Sequence, residues 1–155
     1  MDATLTPEIT PEITPEITPE ITPEITAEML RSIGACAGGM TFFEAHFPSA
    51  RATFQAAAQA CVNHGMPEYA VWLALYCPAD VPGATWEARL AVTDSACDRA
   101  LLARECHTGV PGATWEARLA VQCSAADREL LGHLCPAGVP GATERARAEA
   151  RRAER

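Results

Sequence analysis

The chain has 155 residues, 48% of them apolar, which is enough for one domain and too few for two generous ones. Its formal charge of −8 sits at one end, because residues 1–28 carry seven acids and no base while residues 29–155 hold 13 acids against 12 Arg. The near-neutral remainder excludes a basic nucleic-acid stripe and strong electrostatic steering. No apolar run is long enough to cross a bilayer and no basic-then-apolar leader is present, so a cytoplasmic protein with no membrane partner and seven reduced cysteines is expected.

Residues 6–25 are Thr-Pro-Glu-Ile five times over. Pro at every fourth position removes a backbone donor and pushes the residue before it toward extended geometry, so an extended or disordered leader is predicted over 1–22. Each Thr-Pro-Glu is also a helix start, with Thr as N-cap and Pro at the first helical position. Only the copy at 22–24 is followed by sequence that can continue, which places the first helix at about 23–33 with Gly34 past its end.

Further helices are predicted over 37–46, stopped before Pro48, and from about Ala50 to His64, ending at Gly65. Pro67 opens another, which Pro78 closes. VPGATWEARLAV then occupies 81–92 and recurs at 110–121, with a degraded VPGATERARAEA at 139–150, each displaced by 29 residues. A fixed period in this range marks a stacked repeat, whose units bury their apolar faces only against neighbours. Phe54 aligns on Trp86 with a displacement of 32, which adds a divergent earlier copy.

Within a unit, a helix from about Thr85 to Val92 presents Trp86 and Leu90 on one side. A second helix starts at Ser95, or Ser124 in the next unit, with Asp98 and Asp127 at capping-box spacing. Leu101-Leu102 and Leu130-Leu131 supply its buried stripe, and the two helices form an antiparallel hairpin. The last copy replaces Trp115, Leu119 and Val121 by Glu144, Ala148 and Ala150, as a terminal cap requires, with truncated decay of the copy as the competing explanation. The predicted fold is all-α: a short α-solenoid of about four helical hairpins over 23–155. Its parts are N-terminal helices at 23–51, a divergent repeat at 52–80, repeats at 81–109 and 110–138, and a degenerate capping repeat at 139–155.

WEARLAVTDSACDRALLARE is similar to the leucine-rich repeat variant family, which pairs a short helix with a longer one in a right-handed solenoid. The unit here is longer, and VPGAT stands where the family has an Asn-Pro type of turn. The resemblance covers 81–138 and implies an α-solenoid. Residues 22–75 resemble a small N-terminal module that accompanies repeat arrays in bacterial and phage-encoded proteins, which suggests a prophage origin.

Several side chains share a register. Arg89 and Arg118, continued by Arg147, and Arg99 with Arg128 would form ladders of positive charge for an acidic partner if they face outward; pairing with Glu87 or Glu116 is the competing arrangement. Cys77, Cys106 and Cys135 also recur, with His107 and His133 beside the last two. A metal or thiol redox module using Cys106, His107, His133 and Cys135 is the alternative function. Equivalent positions about 10 Å apart disfavour one shared zinc, whose thiolates must lie within about 4 Å, so buried apolar Cys and no resident metal or cofactor are expected. Cys36 with His46 or His64 lacks a third partner, and no phosphate loop or catalytic triad is visible. The expected function is a non-enzymatic protein-interaction module on a helical repeat scaffold, with no nucleic acid and another protein as partner.

Overall fold

The computed structural model describes residues 24–152; the predicted leader at 1–22 lies outside the described residues. Within them the chain is helical, apart from a two-stranded antiparallel sheet pairing β1 (Ile25–Thr26) with β2 (Arg51–Ala52). Helix α1 spans Ala27–Ser32, not 23–33. Its N-cap is Thr26, whose hydroxyl accepts from the Met29 amide, so Thr26-Ala27-Glu28 acts as a sixth, degenerate Thr-Pro-Glu copy. Ile25 is committed to the strand and fully buried. Helix α2 (Ala37–His46) falls where predicted. Helix α3 (Phe54–Asn63) starts four residues later than expected, because Ala50 takes a left-handed φ of 57° and Arg51–Ala52 join the sheet before Thr53 caps the helix. Helix α4 (Pro67–Tyr76) opens on Pro67 as predicted.

The repeats give α5 (Trp86–Ala91), α6 (Ala96–Glu105), α7 (Trp115–Ala120), α8 (Ala125–Leu134) and α9 (Glu144–Arg152). Caps set their starts: Thr85, Ser95, Thr114 and Ser124 each accept the amide three residues on, satisfying a donor that has no partner inside the helix.

Long helices α4, α6 and α8 stack side by side, and α5, α7 and α9 pack on the long helix before them. The hairpins are therefore α4/α5, α6/α7 and α8/α9, out of phase with the expected pairing of α5 to α6. The Pro-Gly turn explains the phase. Ala84 donates to the Val81 carbonyl across it, and buried Val81 and Ala84 fold α5 back onto α4. The same turn stitches units together, since Trp86 donates to the Pro111 carbonyl at 2.9 Å and Trp115 to that of Pro140 at 2.8 Å. Gly112 is required there: its φ is 82°, and a Cβ would stand 3.4 Å from the Trp86 Cβ.

Phe54, Trp86 and Trp115 are buried. The Arg89 guanidinium lies 5.6 Å from the Phe54 ring centroid and that of Arg118 5.7 Å from the Trp86 ring, so Phe54 and Trp86 hold equivalent places. The displacement of 32 reflects a longer first helix, ten residues in α3 against six in α5. Of the predicted Leu stripe, Leu102 and Leu131 are fully buried, while Leu101 is half-buried and Leu130 exposed. Helix α9 closes the stack by approaching α8 through small residues. Ala150 is buried, and a Cβ on Gly132 would meet the Arg147 carbonyl oxygen at 2.9 Å.

Candidate functional site

The in-register arginines do not face a partner. Arg89 and Arg118 are fully buried, so the expectation that they form an outward ladder is corrected. Neither pairs with Glu87 or Glu116, which are exposed. Each guanidinium instead reaches back into the preceding hairpin. Arg118 donates from Nε to the Ala113 carbonyl at 3.0 Å, from Nη1 to Ala103 at 2.7 Å, and from Nη2 to Cys106 at 2.9 Å and His107 at 3.0 Å. Arg89 repeats this on Ala84, Ala74, Cys77 and Pro78, and half-buried Arg147 on Ala142, Cys135 and Pro136. The last carbonyls of a helix lack intrahelical donors and carry its negative dipole end, so a cation with a rigid fork of donors suits them. Burial pulls the Arg89 and Arg118 pKa values below their ordinary range. No carboxylate pairs with either among the described residues.

Arg99 and Arg128 remain exposed, although Arg99 Nε donates to the Thr93 carbonyl at 2.8 Å. Cys77, Cys106 and Cys135 are buried at the C-caps of α4, α6 and α8, where their carbonyls receive the arginines. Burial pushes all three thiols up, Cys77 to about 11, which keeps them protonated and weakly nucleophilic. His107 and His133 are exposed, and no group of three metal-ligating side chains occurs among the described residues.

Part of the outward face of the long helices is apolar. Trp72, Leu101 and Leu130 occupy one register on α4, α6 and α8, and Tyr76, Glu105 and Leu134 occupy another one turn further on. Tyr76 is 47% exposed, Leu130 44% and Leu134 53%. Because the three helices stack, these positions form a row across the array. The sequence signal was available in Leu130 and Leu134, four residues apart on one helix face, but a Leu stripe reads as core until its neighbours are known.

At the α4 end the row meets a cavity of about 320 Å³ in the N-terminal module. Ile25, Leu30, Phe42, Phe43, Trp72 and Leu73 make its apolar walls; Cys36, Glu68 and Tyr69 supply the polar atoms. The Tyr69 hydroxyl rests over Gly38, where a Cβ would come within 2.7 Å, and burial together with the neighbouring Cys36 pushes it up. Beside it His46 and His64 meet, ring centroids 4.2 Å apart, and His46 stacks on Phe42 at 4.1 Å. The structure thus brings His46 and His64 together, while Cys36 sits with Tyr69 at the cavity. Cys36 nevertheless spends its sulfur as N-cap of α2, accepting from the Gly39 amide at 3.4 Å.

No protein-family model matches this chain, nor does any curated protein or solved structure.

Proposed function

We propose that the chain is a non-enzymatic protein-interaction module, in which stacked hairpins hold the apolar row on α4, α6 and α8 against the apolar segment of another protein. The exposure of three large side chains, Tyr76 on α4 and Leu130 and Leu134 on α8, carries this reading. Large side chains left in water at repeated positions form a patch of the kind that marks interaction sites. The resemblance of residues 81–138 to leucine-rich repeat variant solenoids supports it, as does the rigidity that the buried arginines give each hairpin. No helix among the described residues is long and apolar enough to cross a membrane, and the proposed setting is the cytoplasm.

The test compares the full chain with a double variant, Leu130→Ser and Leu134→Ser, as baits in host extract. A protein retained by the full chain and lost from the variant, at unchanged thermal midpoint, is the expected result. Identical retention by both baits rules out the row as the binding face.

A further inference from the structure

The cavity of the N-terminal module, about 320 Å³, stands at the small end of the range for ligand pockets, about 300–1,000 Å³. Its walls are mostly apolar, and Phe42, Tyr69 and Trp72 give them three aromatic rings. Glu68 lines it while remaining exposed, and no basic side chain lines it among the described residues. We infer that the cavity is a binding site for a small organic cation with an apolar body, an alkyl- or arylammonium. Its charge sits between Glu68 and the rings of Tyr69 and Trp72, and its body rests on Leu30 and Leu73.

Three observations point to a cation. The first is placement on α4, where Glu68 and Trp72 are four residues apart and Tyr69 and Trp72 three, so the carboxylate and both rings share one side of the helix. The second is ring geometry. Phe42 and Tyr69 meet edge to face, with centroids 6.0 Å apart and planes inclined at 62°, so they are not stacked flat on one another. Ring faces carry negative potential that attracts an ammonium. His46 takes one face of Phe42 and lies outside the lining, which leaves Tyr69 and Trp72 as the rings for the charge. The third is the field of Glu68. Burial pushes the Cys61 thiol up to about 11 and raises the Tyr69 hydroxyl, and the negative charge of Glu68 adds to both. That carboxylate is therefore felt at two separate walls, where it repels an anion and attracts a cation. An acid in the first turn of α4 also suits the helix dipole, but that effect is the same in free and bound protein and leaves affinity unchanged. The site is independent of the outward row, and its failure leaves that reading untouched.

Titrating the isotope-labelled full chain with benzyltrimethylammonium, and separately with benzyl alcohol as a neutral probe carrying the same ring, reads affinity and location together through amide shifts. The cation should move the amides of Gly39, Tyr69 and Leu73 and bind about fivefold tighter than the alcohol or better. Glu68→Gln should remove most of that preference and leave the affinity for the alcohol unchanged. Glu87→Gln, at an exposed position on α5, should match the parent. Equal affinity for the two probes overturns the inference, as does a preference that survives Glu68→Gln. Absence of saturable shifts at the cavity overturns it too, and so do cation-induced shifts confined to residues 1–24, which assign the cation to the acidic leader.

Discussion

Replacing Arg118 by Met keeps much of the stem and removes every donor. In the folded protein the carbonyls of Ala103, Cys106 and Ala113 then lose the guanidinium that holds them, in a position with no exposure to water. A buried acceptor left unpaired costs about 1–3 kcal/mol, so three of them set a gross loss of roughly 3–9 kcal/mol. Relief of the guanidinium's own desolvation returns part of this, so the net loss falls below the gross figure and should stay above about 2 kcal/mol. Against a typical domain stability of about 5–15 kcal/mol, that is enough to unfold the α6/α7 region first. Urea unfolding followed by dichroism, with hydrogen exchange resolved along the chain, measures it. Arg118→Lys should recover only part of the loss, because one ammonium cannot reach carbonyls of both the preceding helix end and the turn. Arg128→Met, on the exposed helix face, should stay within about 0.5 kcal/mol of the parent. If Arg118→Met also stays within that margin, the buried arginines do not hold the hairpins together.

Gly132→Ala should loosen the cap, since the new Cβ falls 2.9 Å from the Arg147 carbonyl oxygen; a loss of about 1–3 kcal/mol is expected, with faster amide exchange over 144–152 and unchanged exchange in α4. Stability should fall as pH rises from about 9 through about 11, because burial holds the Cys61 and Cys77 thiols protonated to about 11 when folded. The stabilisation is complete below the ordinary thiol pKa and is lost through the folded one, at up to about 1.4 kcal/mol per pH unit for each thiol. Urea midpoints should show it, and Cys61→Ala with Cys77→Ala should flatten the slope. Deleting residues 86–114 joins Thr85 to Trp115 without changing the motif, and should leave a folded, shorter array in which Arg118 caps α4 through Ala74 and Cys77. A molten product by near-UV dichroism would sink the view that the two middle units are interchangeable.

Most of the helices were legible because their signals are short. Thr85, Ser95, Thr114 and Ser124 each bond three residues away, and Pro67 needs no partner at all. The start of α1 was misplaced by one motif length, since Thr22 and Thr26 offer the same local cap and only the pairing of Ile25 with Ala52 decides between them. The candidate site was less legible. Tyr76, Leu130 and Leu134 are core-type residues whose exposure follows from how α4, α6 and α8 stack, and the cavity is assembled from five separate elements.

By itself the sequence determined the period, the helix caps, the Pro-Gly turns and the polar character of the last helix, all of which act within a few residues. Only the tertiary structure decided that α5 folds onto α4 and not α6, and that Arg89 and Arg118 turn inward. The carbonyls they satisfy lie up to 15 residues back in the chain. A guanidinium beside a glutamate in sequence looks like half of a surface ion pair; a buried helix end without donors is the stronger claim on it, and that end exists only once the hairpin has closed.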